Sequence, residues 1–539
     1  MKNFVKHLVL AVVAVVVAVA CSSEPKREPI TSDFAIYLNG YQLIEKSGVL
    51  EQITESNRLM LASTASSEVS AENSEFLKSV VTDLDNSGLS LTKPAYALIN
   101  FDETAEKADL VAVVEVHDAE SVDRLVATLS DYLEKQGEEP LALSREGDNR
   151  YVDLGEEDTL VGYNKSRMVV CVHPDNLKSF VDDALSSPLA DLEPFGERDF
   201  ALYIDNQRLM DIYEKMYAKQ LAEAGIYGDA EAQTMIGYIA NYRASLAERS
   251  STILGMAFEN GKIVLDSKVE GVDAEKFNWL KSANANNLKY LPKETLALIN
   301  LSLNGEGLMS FVNEMFTEEL IASLGMDTNE FKAGLAIATD AVSSIDGDIT
   351  IALNKLDGVV YRGNPQPSNV EAIMLADVKD RYIIDNVALF GGAFLTRTAD
   401  GNYTLPLSRT MRLNLGQGEN TLFAGVNATL AKQEPSAEEA RWADVVKGSY
   451  GSSILVDIEQ IVSTEFINDL FTFTLARMDE PADTIAEQIV TLSDYLYIRA
   501  TSPTSGEIVW VFDNKNVNAL RQISDIVMPY IKLFVASQM

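Results

Sequence analysis

Cysteine and histidine are almost absent from this chain. Its 539 residues include 2 Cys and 3 His. Cys21 follows directly on an export-type segment, so if it is modified Cys171 has no partner and no intrachain disulfide forms. An exported chain without disulfides has to be held together by its core. This one is long enough for that, and for more than one domain. Positive charge is also short, with 44 Lys and Arg against 81 Asp and Glu and a formal net charge of −37. Such a surface repels phosphate backbones and anionic headgroups, which makes nucleic acid a poor partner.

The motifs of well-understood chemistry are missing too. There is no HExxH helix for zinc, no GxSxG elbow and no GxxxxGK[ST] phosphate loop, and no cofactor is expected. The pairs Gly305 with Gly307 and Gly416 with Gly418 meet Ser310 and Thr421 where a dinucleotide fingerprint needs a third glycine, and read as turns. His7 lies in the export-type segment, leaving His117 and His173. Cys171 and His173 share a strand face, but Val170, Val172 and Pro174 around them suit a buried structural thiol. Asp83, Asp85, Ser87 and Gly88 copy half of a calcium loop whose twelfth position is Pro94 instead of Glu. No metal site is expected. Glu156 with Glu157 and Asp182 with Asp183 are adjacent in sequence and point apart, so neither makes an acid/base pair alone.

What is present begins with an address. Lys2 and Lys6 precede the apolar run Leu8 to Ala20 and then Cys21, the layout of a signal peptide over residues 1–20. At thirteen residues the run is too short for a permanent span. Ala18 and Ala20 before Cys21 resemble a bacterial lipobox, in which the Cys is acylated after cleavage; several acyl chains hold a soluble body to a leaflet. Ser22 after the Cys favours the outer membrane. With only Glu24 ahead of Lys26 and Arg27, its periplasmic face is expected over the cell surface. Residues 21–32, with Pro25 and Pro29, read as a flexible tether.

Beyond the tether the chain repeats itself. DFAIYLNGYQLI (Asp33 to Ile44) returns as DFALYIDNQRLM (Asp199 to Met210): a strand, an Asx that can cap, then a helix. Weaker copies pass through Asn304 and Asp457. Asn39 matches Asn304 at an offset of 265, Asp118 matches Asp380 at 262, Tyr151 matches Tyr403 and Asp205 matches Asp457 at 252, and Gly261 matches Gly506 at 245. Landmarks in one order with a level or shrinking offset are what duplication and small deletions leave. The expected fold is α+β, in two tandem homologous halves over 33–285 and 286–539, each with mainly antiparallel strands and helical pairs. Asn260-Gly261 between two aliphatic runs predicts a tight two-residue turn.

Tyr213, Tyr217, Tyr238 and Tyr242 follow the second copy at spacings of four. That spacing suits core packing first, with a wall for a sugar, lipid tail or peptide as the alternative. The runs SGLSLTKPAYALIN (Ser87 to Asn100), LVAVVEVHDAESVDRLV (Leu110 to Val126) and LVGYNKSRMVVCV (Leu160 to Val172) resemble Bacteroidota lipoproteins grouped as domain of unknown function 4836. That resemblance implies an envelope location and a fold, and carries no reaction. Asp158-Thr159-Leu160 and Asp483-Thr484-Ile485 fit the pattern at which some Bacteroidota glycosylate exported proteins, making Thr484 and Thr159 candidate sites.

The resulting expectation is an outer-membrane lipoprotein that binds or scaffolds without catalysis, touching the membrane through its lipid and taking an envelope protein, glycan or lipid as ligand. Its rivals are an envelope hydrolase or metal-dependent enzyme with a site between the halves, and a lipid or lipopeptide carrier. Cys21→Ser is expected to move the protein from the membrane fraction to the soluble fraction on cell fractionation; an unchanged distribution would refute the anchor.

Overall fold

Strand, Asx, helix is the local unit that recurs. Asn39 accepts the Gln42 N–H at 3.2 Å and opens helix Gly40–Ser47, while Asp205 accepts the Arg208 N–H at 2.9 Å and opens Asn206–Glu223. Asn304 accepts the Gly307 N–H at 2.8 Å ahead of Gly305–Met315, and Asp457 the Gln460 N–H at 3.0 Å ahead of Ile458–Ser463. Each cap satisfies a donor that the first turn leaves without an intrahelical partner, and is worth about 1 kcal/mol. All four caps lie where the sequence pattern predicts them.

The computed structural model describes residues 27–52, 69–90, 93–102, 107–155, 158–173, 177–224, 250–315, 342–362, 364–379, 394–475 and 482–538, with isolated positions inside 225–249, 316–341 and 380–393. The described residues fall into two compact units. Unit 1 draws on Met1–Gly228, Met235–Glu259 and Leu520–Ser524, and unit 2 on Asp229–Thr234, Asn260–Ala519 and Asp525–Met539. The changeover between β-strands comes at Glu259 and Asn260, just before Gly261 at φ +68°, the left-handed geometry predicted for that turn.

Unit 1 contains β1 (Arg27–Glu28), β2 (Phe34–Leu38), β3 (Ala95–Phe101), β4 (Ala108–Glu115), β5 (Ala142–Glu146), β6 (Asn149–Asp153), β7 (Thr159–Tyr163), β8 (Arg167–Val172), β9 (Leu189–Ala190), β10 (Phe200–Asp205) and β11 (Ser251–Glu259). Nine of them form an antiparallel array in the order β11-β10-β2-β3-β4-β8-β7-β6-β5. The stretch 21–32 read as a tether contains β1, which pairs parallel with β9. Ala35, Tyr37, Phe195, Ala201 and Ile253 form one buried cluster, and in another Val169 and Cys171 meet Val181 and Leu185 of helix Leu177–Ser186.

Unit 2 contains β12 (Lys262–Glu270), β13 (Ala297–Asn304), β14 (Ile345–Tyr361), β15 (Asn364–Val378), β16 (Thr396–Arg397), β17 (Tyr403–Pro406), β18 (Arg412–Gln417), β19 (Thr421–Val426), β20 (Ser452–Asp457), β21 (Ser493–Ser502) and β22 (Ser505–Phe512). Their order is β12-β22-β21-β20-β13-β14-β15-β19-β18-β17-β16, antiparallel throughout. Numbered by rank along the chain, β13 to β21 stand in the spatial order 9-8-1-2-3-7-6-5-4, and the nine-strand array of unit 1 stands in that same order. Tyr151 on β6 and Tyr403 on β17 occupy strands of equal rank. The match of Gly261 to Gly506 fails in detail: Gly506 lies inside β22 opposite Ala500, and the turn before it is Pro503-Thr504. Asp380 lies outside the described residues.

One face of the unit 2 sheet is closed by the short helical turns Asn286–Tyr290 and Ala437–Glu439 and the helix Ala443–Lys447. Trp442 is fully buried among them, and its indole N–H donates to Asp457 Oδ2 at 3.2 Å. Trp442→Ala is expected to destabilise unit 2 by about 3–5 kcal/mol in urea unfolding; a loss near zero would remove Trp442 from the core. In unit 1 a Cβ on Gly162 would stand 2.3 Å from Val181 Cγ1 of the packed helix. Gly162→Ala is expected to cost about 1–3 kcal/mol by overpacking; an unchanged unfolding midpoint would contradict that contact.

Candidate binding face

Side chains paired across antiparallel strands point to the same side of a sheet, so register alone assigns faces. In unit 2 one row runs Val264, Val509, Tyr497, Leu455, Leu298, Ala352 and Ile373, and it packs into the core. One residue along, on the opposite face, runs a second row: Leu265, Ile508, Ile498, Ile454, Ile299, Ile351 and Met374. Its first six members are between 38% and 46% exposed. Beside it lies a half-buried apolar row of Trp510, Leu496, Val456, Ala297, Leu353 and Ala372. Neither row contains an ionisable side chain.

At one end of β13 and β14 the arrangement departs from the usual rule for an antiparallel sheet, which turns aliphatic residues to the core and polar ones to water. In β13, Asn300 and Ser302 are fully buried, whereas Ile299 and Leu301 are exposed. In β14, Asp348 and Thr350 are buried and Ile351 is exposed. The buried groups satisfy one another. Thr350 Oγ1 donates to Asn300 Oδ1 at 2.6 Å, Asn300 Nδ2 to Ser302 Oγ at 3.1 Å, and Ser302 Oγ to Asp348 Oδ1 at 2.7 Å. Asp348 Oδ2 also accepts the Ala285 N–H at 2.7 Å, and Asn287 Nδ2 donates to Thr350 Oγ1 at 3.2 Å. Asp377, pushed above the usual carboxylate range by burial, accepts the Asp348 N–H at 3.0 Å. This network fixes which side of the sheet is inside, and so commits the isoleucines to the outside.

A second group of charges gathers where β20, β21 and β22 end. Carboxylate oxygens of Glu459, Asp494 and Asp513 lie within 4.8 Å of one another. Two cations stand among them. Arg441 pairs with Asp494 and reaches Asp457 at 2.7 Å and Glu459 at 2.8 Å, and Lys515 reaches Asp494 at 2.5 Å. Burial pushes Asp457 upward, with the Gln460 N–H and Arg441 opposing it; burial and then Asp494 and Glu459 push Asp513 upward. The cluster ties a helix cap and Trp442 to three strand ends. A cavity of about 380 Å³ between the helices of 458–475 and 482–491 is lined by Val462, Phe471, Leu475, Asp483, Glu487 and Val490, together with Asn and Thr side chains. Among the described residues its lining holds the carboxylates of Asp483 and Glu487 and the hydroxyls of Thr472 and Thr491, and no His, Cys, Ser or Lys.

Of the residues singled out in the sequence, Tyr213 and Tyr217 are brought together. Cys21, Tyr238 and Tyr242 lie outside the described residues. Tyr213 is exposed on helix Asn206–Glu223 and stacks on Tyr217 with ring centroids 6.1 Å apart. Thr484 is half-buried in the first turn of helix Ala482–Thr491, with its hydroxyl 3.2 Å from Asp483 Oδ1; Thr159 opens β7, 3.2 Å from Asp158 Oδ1. Cys171 is fully buried and its thiol is pushed up to about 12 by burial, which makes it inert. His173 stands 3.6 Å from Asp109 and against the Phe180 ring. Asp83 accepts the Asp85 N–H at 3.1 Å within a short helical turn that closes on Gly88. The aliphatic row escaped sequence reasoning. Its signal was the alternation in ALINLSLN and GDITIALN, which marks two faces without saying which one is covered.

No curated protein matches the chain. Among solved structures, crystal form III of TP0453 is 12% identical over 47% of this chain and 82% of its own, with a TM-score of 0.24. Crystal form IV of TP0453 is 12% identical over 46% and 81%, with a TM-score of 0.23. A family model described as a domain of unknown function matches residues 199–520, more than half of the chain, so the protein belongs to the DUF4836 family.

Proposed function

We propose that this protein is a non-catalytic binding protein of the bacterial cell envelope, hung by lipid on Cys21 from the periplasmic side of the outer membrane, and that it binds through the outer face of the unit 2 sheet. The observation that carries the reading is the exposed row of isoleucines set against a buried network of Asn, Ser, Thr and Asp. Contiguous exposed apolar surface on a folded chain marks an interaction site, because leaving it in water forgoes burial worth about 25 cal/mol per Å². A catalytic reading would need convergent polar groups in a cleft. In the acidic cluster Asp494 is instead held by Arg441 and Lys515, and Glu459 by Arg441.

The signal-like segment ahead of Cys21 supports the anchor and the envelope, and the resemblance of LVGYNKSRMVVCV and its companion runs supports a Bacteroidota source. The common strand order of the two units supports descent from one duplicated ancestor. In unit 1 the corresponding face carries Leu254, Leu202, Ile36, Ala97 and Ala112 in register, with Leu254 exposed.

The folded protein is expected to bind an environment-sensitive apolar dye such as ANS in native buffer. The double substitution Ile299→Asp with Ile454→Lys, which sets opposite charges across the paired strands, is expected to remove roughly half or more of that signal while the circular dichroism spectrum is kept. Native protein that leaves the dye dark would sink the reading.

A further inference from the structure

We infer that the occupant of this face is an acyl chain of a zwitterionic phospholipid, laid across the strands along the isoleucine row. The inference rests on the reading of the face as a binding surface and adds the chemistry of what binds. Charge is its first ground. The chain carries 81 acidic residues, yet none stands in the row from Leu265 to Met374 or in the row beside it. An occupant complementary to such a surface has no charge over the length it touches.

Hydrogen bonding is the second ground. From β22 to β15 every strand is paired on both sides, so the backbone donors and acceptors are spent within the sheet. An extended peptide lying on this face would desolvate its own N–H and C=O groups and meet no partner, at a cost of several kcal/mol. Hydrocarbon has no such groups to desolvate.

Composition is the third. Protein interfaces concentrate Tyr, Trp and Arg and carry about one hydrogen bond per 100–200 Å². Here the exposed row is entirely Ile and Leu, with a single indole beside it, and the indole N–H of Trp510 is already donated to Ser493 Oγ at 3.0 Å. The row crosses seven strands, about 29 Å at the ~4.8 Å strand spacing. That exceeds the ~15 Å that acyl chains fill in one leaflet, so a whole chain fits. A formal charge of −37 disfavours an anionic headgroup and is compatible with a zwitterionic one left in water.

The test uses the full chain carrying Cys21→Ser, which has no acyl groups of its own. It is incubated separately with phosphatidylcholine vesicles, phosphatidylglycerol vesicles and palmitate, then separated by gel filtration and assayed for bound lipid by mass spectrometry. Phosphatidylcholine is expected to travel with the protein, and adding Ile299→Asp and Ile454→Lys, opposite charges across the paired strands, is expected to cut the retained lipid about tenfold or more, with circular dichroism unchanged. Retention of palmitate alone or of phosphatidylglycerol alone would overturn the assignment of source. No lipid on the parent chain, or equal lipid on the double variant, would overturn the inference. In that event dye binding that the same double variant abolishes leaves the binding-face reading standing, and dimers that it dissolves in sedimentation identify a second copy as the occupant.

Discussion

The hydrogen bonds joining Thr350, Asn300, Ser302 and Asp348 are what the unit 2 sheet turns on. Strand pairing has a period of two, so a register that points these four groups inward necessarily points Ile299, Ile351 and Ile454 outward. A slip of one residue would bury the isoleucines, and it would also drag Ser302 and Thr350 into water and strand Asp348 from the Ala285 N–H it accepts. An unpaired buried donor or acceptor costs about 1–3 kcal/mol, so the cost of breaking several at once holds the register. The buried polar groups of β13 and β14 thus help hold the isoleucines on the outer face.

The Asx corners do comparable work at the strand ends. At Asp457 one carboxylate accepts the Gln460 N–H, the Trp442 indole and the Arg441 guanidinium, joining a helix start, the core and the acidic cluster. In unit 1 Asp199, fully buried, takes Lys46 at 2.7 Å and the Phe258 N–H at 2.7 Å. These aspartates are structural charges, each satisfied by partners fixed in the fold. They explain part of the acidity without any reaction.

What was legible in the sequence was short-range. The caps at Asn39, Asp205 and Asp457 and the turn at Gly261 depend on neighbours within a few residues, and each stands where the pattern predicts it. The strand β5 escaped notice because ALSRE is exposed along its whole length and has no apolar alternation to betray it. The long hairpin of β14 and β15 was hidden by register shifts between Leu353 and Lys355 and between Asp357 and Gly358, which break the period of two. The binding face was hidden for a deeper reason. Alternation in LINLSL distinguishes two faces, and ordinary experience assigns Ile299 and Leu301 to the core; only the distant partners Asp348 and Thr350 reverse that assignment. The tyrosines drew attention because their spacing suits a helix face, whereas the surface that stands out in the fold is made of isoleucine.

Whether the isoleucine row meets water in the free protein decides the matter. Carbene footprinting of the native chain, read residue by residue by mass spectrometry, measures this directly. Ile299, Ile351, Ile454 and Ile498 are expected to label strongly while Leu298 and Leu455, one position away on the covered side, stay protected. Equal protection of both rows would mean that the sheet is covered on both faces and that the protein has no open apolar surface there.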